Sequence, residues 1–336
     1  PPAPTVTYAI MGAPTTDGLK ASVKVAGAQS VRLRSGSNHS PAATVDSDGW
    51  AQPAITGLPA FTTATLDVEI TEADGHTTLV TGALTGKTAP VEGVPTSFKF
   101  AAVSCFEDTT SITTVSNAGS FTRMKARNPD LVFLTGDMPY GDNSSTLQAA
   151  HRVDTETMLA YSPALRALLS GAVVVPQQSD HDFGPNNSFP GAQTPGNRAA
   201  YRQVWPMHSL PSSSGQYRAF TYGRVRFIVT DTRSFAAPDG STRLGATQKA
   251  WFKTELQRSE PVKIWVQEAI WIDDNPGEPG GDKWQDFAAE KAELGAFIAS
   301  SAVGQVVTVT GDQHALAADD GTNNPWGGFP SFCAAP

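Results

Sequence analysis

The sequence predicts an α/β domain preceded by a small all-β domain, and three observations carry that expectation. After about residue 95, short apolar runs alternate with helical patterns, as expected of an α/β domain. Before that point, short alternating segments are separated by Gly, Pro, Asn and Asp clusters, at the intervals of a β-sandwich, and no helical period is present. Six of the apolar runs lead straight into residues able to bind a metal or a phosphate. Strand ends face the ligand crevice in open α/β sheets, so these residues are expected to converge in a metal-dependent site.

In chain order, the all-β part is expected to hold strands over 19–25, 30–34, 50–55 and 65–70. Its Gly57-Leu58-Pro59 segment resembles the Leu-Pro turn of fibronectin type III-like domains. The expected division is a sandwich over 1–90, a linker over 91–96 and a second domain over 97–336. In that second domain the run 98–104 ends at Cys105, 131–136 at Asp137, and 172–176 leads to Asp180-His181-Asp182. The run 225–230 ends at Asp231, 262–266 at Gln267, and 306–311 at Asp312 and His314. Helices are expected over 121–127, 147–169 with a break at Pro163, 246–258 and 283–300, the last with Trp284, Phe287, Leu294, Phe297 and Ile298 on a buried face.

Composition excludes several functions. The chain has 336 residues, 40% hydrophobic and 17% charged, enough for a large core. A net charge of −8 without a basic block offers no footprint for nucleic acid. No run approaches the roughly 18 apolar residues of a membrane span. The opening Pro1-Pro2-Ala3-Pro4 lacks the features of a signal peptide, and richness in Thr, Ser, Ala, Gly and Pro with few Lys points to a secreted, processed chain. Two cysteines, Cys105 and Cys333, allow either one disulfide or two separate fates.

Several motifs together resemble the alkaline phosphatase D family. They are Ala102-Val103-Ser104-Cys105, the stretch from Asn128-Pro129-Asp130 through Gly136-Asp137-Met138-Pro139-Tyr140, the stretch from Asp180-His181-Asp182 to Asn186-Asn187, and Gly311-Asp312-Gln313-His314. The segments 222–234 and 246–252 match as well. The resemblance implies a two-sheet α/β sandwich metallophosphoesterase domain, acting outside the cytoplasm on phosphomonoesters or phosphodiesters, phospholipase D-like substrates included. Attack by a metal-activated water or hydroxide is implied, with Fe(III) and Ca2+ as cofactors and a small-molecule or lipid phosphoester as substrate.

Carried over by motif, Cys105, Asp137, Tyr140 and His314 would hold iron. Asp137 would also bridge to calcium, with Asp312 and Asn186 or Asn187 as further ligands. Such a mixed site suits both ions, since anionic ligands stabilise ferric iron and calcium takes carboxylate and amide oxygens. Asp180-His181 would occupy the place of a catalytic pair, with His181 protonating the leaving alcohol or orienting the phosphate. Asp231, Arg233 and Gln267 are candidates for binding substrate.

Each position also has a plainer reading. Tyr140 between Pro139 and Gly141 suits a turn, Asp231 and Arg233 suit a loop-closing pair, and Gln267 suits a strand-end amide. His39, His76, His151 and His208 read as surface or packing residues, and Asp319-Asp320 as a solvated turn. The loop 271–281, with Asp273, Asp274 and Glu278, would repel an anionic substrate unless a cation is near.

Two departures from the family favour a competing reading, a noncatalytic protein that binds a phosphate-bearing ligand or cell surface. Ser179 stands where the family commonly has an acid in a Trp-Asp-Asp-His run, and the family usually continues past the last residues into a further strand and helix.

Overall fold

The computed structural model describes residues 4–106, 119–273, 280–300 and 303–335. Asp274 and Glu278, named above with the loop 271–281, lie outside the described residues. The first part of the chain holds β1 (Val6–Thr15), β2 (Gly18–Val25), β3 (Ser30–Ser35), β4 (Asn38–His39), β5 (Ala43–Thr44), β6 (Trp50–Ala51), β7 (Ala54–Ile55), β8 (Thr63–Thr71) and β9 (Thr77–Lys87). Then come β10 (Phe100–Val103), α1 (Gly119–Ala126), β11 (Leu131–Thr135), α2 (Gln148–Tyr161), α3 (Pro163–Gly171) and β12 (Val174–Gln177). The chain continues through α4 (Asp180–Phe183), α5 (Thr194–Val204), β13 (Arg218–Tyr222), β14 (Val225–Val229), α6 (Gly245–Leu256) and β15 (Val262–Val266). It ends with α7 (Ala288–Ser300), β16 (Gln305–Thr310), β17 (Leu316–Asp319) and β18 (Ser331–Ala334).

Two sheets form the centre. One has the order β10-β11-β12-β1-β2-β6, with β7 also beside β2, and the other β13-β14-β15-β16-β18-β17. Their inner faces share one core that includes Phe133, Val175, Phe227, Val229 and Val309. Helices cover the outside of each. Leu165 and Leu168 of α3 and Val204 of α5 pack with Val132 and Leu134, while Phe252 of α6 and Leu294 and Ile298 of α7 pack with Trp265. Every residue of β11 is buried, as a strand covered on both faces must be, and its unbroken apolar run announces this. The layers are helix, sheet, sheet, helix, as the expected two-sheet α/β sandwich requires.

The first part of the chain is tied into this sandwich. Strand β1 pairs antiparallel with β2 and parallel with β12, at Gly12 and Val174, so N-terminal strands extend the first central sheet. A third sheet, β4-β3-β8-β9 with β5 beside β3, packs Val31, Leu33, Leu66, Val68 and Ile70 into the same core.

Local chemistry explains where the expected elements changed. The run 50–55 is two short strands, because Pro53 between them has no N–H to donate; its carbonyl accepts from Ala21 at 3.0 Å. The long helix breaks where expected, with the Ser162 hydroxyl accepting from the Leu165 N–H at 3.3 Å and Pro163 opening α3. The last expected helix begins as a 3-10 turn over Trp284–Phe287 before becoming α7.

Candidate metal centre

At the carboxyl edge of both sheets the chain turns sharply, and the turns carry the polar residues. Cys105 follows β10, Asp137 follows β11 and Asp180 follows β12, while Asp312 and His314 follow β16 of the other sheet. Direct bonds bring the two edges together: Ser104 N–H donates to the Ala334 carbonyl at 3.1 Å, and the Gln177 amide donates to the Thr230 carbonyl at 2.8 Å. Glycine permits this approach at two places. A Cβ on Gly136, whose φ is +90°, would meet Ser179 Cβ at 2.4 Å, and one on Gly311 would meet Ser104 Oγ at 2.6 Å.

The non-glycine residues of the edge are strained too. Cys105, Asp137, Asp142, Asn187, Asp312 and His314 all have positive φ, and they are six of the nine such residues among those described. That conformation costs on the order of 1 kcal/mol or more for each, so its concentration at one edge marks a site rather than a set of ordinary turns.

Two groups of donor atoms form there, each lying within 4.8 Å, and they share Asp137. The first is Cys105, Asp137 and His314. Tyr140 joins it, its hydroxyl 3.3 Å from Asp137 Oδ2 and 3.3 Å from His314 Nε2, with the Cys105 thiol 3.4 Å from the same carboxylate oxygen. The second is Asp137, Asp180 and Asp312, an all-oxygen set. Asp180 therefore stands among the acids, a place the sequence reading gave to Asp312 and an asparagine. Asn186 and Asn187 are exposed, and Asn187 reaches this group by its backbone N–H, 2.7 Å from Asp180 Oδ2.

The protein supplies too few positive groups for these acids. Asp137 Oδ1 is buried and has no hydrogen-bond partner. Ser179 Oγ lies 2.9 Å from Asp180, 3.2 Å from Asp312 and 3.4 Å from Glu268, yet one hydroxyl proton serves one carboxylate at a time. Burial, and then the neighbouring Asp312 and Asp180, push Asp137 well above the carboxylate range; burial and Glu268 do the same to Asp312. Burial and the Asp137 charge also raise the Cys105 thiol and the Tyr140 phenol. Asp180 goes the other way: burial opposes its ionisation, but Arg233, His181 and the Asn187 N–H hold it low. An underneutralised set of thiol, phenol, imidazole and carboxylates, buried at Cys105, Asp137 and Asp180 and opening to solvent at His314, is what a cation site requires.

Around this set lies a scaffold that sequence reading missed. The Asp182 carboxylate accepts from the N–H groups of Asp137, Met138 and Ser179 at 2.7, 2.9 and 2.9 Å, fixing the Asp137 turn against the start of α4. Burial pushes Asp182 up to about 7, against the pull of those donors. Glu268 is fully buried between Arg233 at 2.9 Å, Arg243 at 2.5 Å and the Thr232 hydroxyl at 2.5 Å. Asp282 holds the other end of Arg233 at 2.8 Å. The sole sequence signal for Glu268 was its place two residues beyond a strand end.

The three substrate candidates receive other partners here. Strand alternation turns Glu268 into the crevice and Gln267 into the helical layer, where its amide bonds Trp284 and Thr308. Asp231 caps its own loop, accepting from the N–H groups of Gln216, Arg233 and Ser234. Arg233 is buried, with its guanidinium engaged by Glu268 and Asp282 and 3.6 Å from Asp180. His181 is at the edge as expected, its ring 4.3 Å from that of Tyr140 and its Nδ1 2.5 Å from Asp142, a partner the sequence did not suggest. Its Nε2 lies 4.0 Å from Asp180.

Cys105 and Cys333 are both free and buried in one small apolar cluster, so the structure shows two separate thiols, with Cys333 donating to the Gly311 carbonyl at 3.5 Å. Among the described residues no helix is long and apolar enough to cross a membrane.

Comparison with known proteins agrees with this layout. Residues 176–333 match the family model described as PhoD-like phosphatase. Alkaline phosphatase D of Bacillus subtilis (strain 168) is 30% identical over a stretch covering 34% of this chain, and that stretch spans only 24% of the relative's length. A solved structure of PhoD, 19% identical, superposes over 98% of this chain and 76% of its own, with a TM-score of 0.77. A purple acid phosphatase from yellow lupin (Lupinus luteus) seeds, 12% identical, covers 94% of this chain and 59% of its own, with a TM-score of 0.66. The chain thus carries the metallophosphoesterase fold of these proteins, and over residues 176–333 its sequence is similar to the PhoD-like phosphatases.

Proposed function

We propose that this protein is a metal-dependent phosphoesterase, acting on phosphomonoesters or phosphodiesters outside the cytoplasm. The observation that carries the reading is the pair of donor groups joined by Asp137, whose second oxygen is buried without a partner. Residues 1–90 are read as a fibronectin type III-like sandwich, joined through 91–96 to the catalytic domain over 97–336 and bracing its first sheet through β1.

The residues fit two different ions. Cys105, Tyr140, His314 and Asp137 offer sulfur, phenolate, imidazole and carboxylate, a set that suits Fe(III). Asp137, Asp180 and Asp312, with a carbonyl or amide of Asn186 or Asn187 in reach of the loop, offer the hard oxygens that suit Ca2+. When bound, such ions supply Lewis acidity toward a phosphoryl group and a nucleophile at neutral pH. The protein's own part is to hold the Asp137 carboxylate, which both donor groups share, rigid through the three backbone bonds to Asp182, and to place a proton donor. His181 is that donor in our reading: Asp142 fixes its Nδ1 side, which leaves Nε2 to face the acids and a leaving oxygen. Arg233 acts as a positioning residue for Asp180 and Glu268, and Gln267 holds the aromatic layer.

Turnover of p-nitrophenyl phosphate and bis(p-nitrophenyl) phosphate, with and without chelation and readdition of iron and calcium, tests the activity. Hydrolysis of either ester that is lost on chelation and restored by the metals supports it. A protein that loads metal and binds phosphate but hydrolyses neither ester would fit the competing role of a phosphate-recognition protein, to which Ser179 in place of an acid points.

A further inference from the structure

A cavity of about 640 Å3 lies between strands β1, β2 and β7 and the segment following α5, and no residue of the metal centre lines it. Its volume falls in the range of small-molecule sites, about 300–1,000 Å3. The walls are held together before any ligand arrives. Gln52 donates to the carbonyls of Arg202, Gln203 and Trp205 at 2.8, 3.1 and 3.2 Å, which pins the end of α5 to the β6–β7 turn.

The lining has a definite chemistry. Ala54, the Thr56 methyl and Leu210 give it an apolar surface, over Leu19, Ile55 and Trp205 buried beneath. Lys20 and Arg202 also line it, and no carboxylate does, although the chain as a whole has 32 acids against 24 bases. Neither cation has an ion-pair partner among the described residues. Lys20 Nζ donates to the Met207 carbonyl at 3.5 Å, and Arg202 donates to Gln216, Ser212 and Gly215 oxygens, all neutral. His208 stays neutral there, pushed down to about 4 by burial and bonded to the Pro14 carbonyl at 3.0 Å. Two cations without an ion pair among the described residues, beside one cavity, favour a negative head on an apolar body.

We propose that this cavity binds a small anionic amphiphile, with its carboxylate head at Lys20 and Arg202 and its chain against Ala54, Thr56 and Leu210. The inference does not rest on the phosphoesterase reading.

Calorimetric titration of the full chain with decanoate, below its micellar concentration, tests it against decanol of the same length. Decanoate should bind once per chain, and decanol at least about tenfold more weakly. Lys20→Gln should weaken decanoate by about tenfold, and Ala54→Trp, at an exposed position of the cavity mouth, should remove binding while leaving the thermal midpoint unchanged. Asp137→Asn should bind decanoate as the parent does, and this separates the cavity from the metal centre. Equal affinity for decanol, or decanoate binding untouched by both Lys20→Gln and Ala54→Trp, would overturn the proposal. So would binding lost in Asp137→Asn but kept in Ala54→Trp. Loss of ester turnover alone would bear on the phosphoesterase reading and leave this one standing.

Discussion

Two groups of buried acids meet at the carboxyl edge of this molecule, and they are neutralised in opposite ways. Glu268 and Asp282 are held by Arg233 and Arg243 in a network closed within the chain. Asp137 and Asp312, a few residues away in space through Ser179 and Asp180, have no ion pair with any basic side chain among the described residues. The difference separates scaffold from site. An acid whose cation is encoded in the sequence holds the fold, whereas acids collected without one call for a cation from outside.

Removing the shared ligand should have the largest effect. Asp137→Asn is expected to lower ester turnover roughly a thousandfold or more and to reduce bound metal, both read on the same preparation, since one substitution disturbs both donor groups. Unchanged turnover would erase the distinction drawn above. On the scaffold side, Arg233→Met leaves Glu268 and Asp282 short of a partner, and a loss of about 3–5 kcal/mol of stability is expected in urea unfolding. A stable, unperturbed variant would mean that the network is not what holds these acids.

The two groups should also differ in their response to pH. In metal-free protein Asp137 and Asp312 have folded pKa values raised above the ordinary 3.8, so the stability they contribute is present at low pH and is lost as pH rises through those raised values. Asp180, held low chiefly by Arg233 against the effect of burial, contributes stability above 3.8 that is lost on acidification. Thermal midpoints of chelated protein should therefore fall as pH rises above the ordinary carboxylate range, less steeply in Asp137→Asn, and metal should restore them.

Smaller effects are expected outside the donor groups. His181→Gln should cost about a hundredfold in kcat with metal content intact. Asp142→Asn, which removes the charge beside the histidine's Nδ1, should cost about tenfold and displace the pH profile of kcat. If both left kcat unchanged, His181 would not be the proton donor.

Much of this was legible in the residues. The buried strands β11, β14, β15 and β16 announce themselves as apolar runs, and the Asp or His that follows three of them falls where a crevice must lie. What could not be read is which way a strand-end side chain points. Gln267 and Glu268 differ by one residue, and the alternation that sends one into the aromatic layer sends the other to Arg233 and Arg243. Asp182 and Asp142 were hidden for a related reason, because their partners, Asp137, Met138 and His181, lie 39–45 positions away along the chain and meet them only across loops. The long strands β1 and β9 were missed because their polar residues alternate imperfectly and their pairing with distant strands stabilises what local preference does not.

The central claim is that Asp137, Asp180, Asp312, Cys105, Tyr140 and His314 form a metal centre, and elemental analysis of protein purified without added metals or chelators tests it most directly. About one iron per chain together with calcium, both reduced in Asp137→Asn, is the predicted result. Protein that contains neither metal, and takes up neither when iron and calcium are supplied, would contradict it.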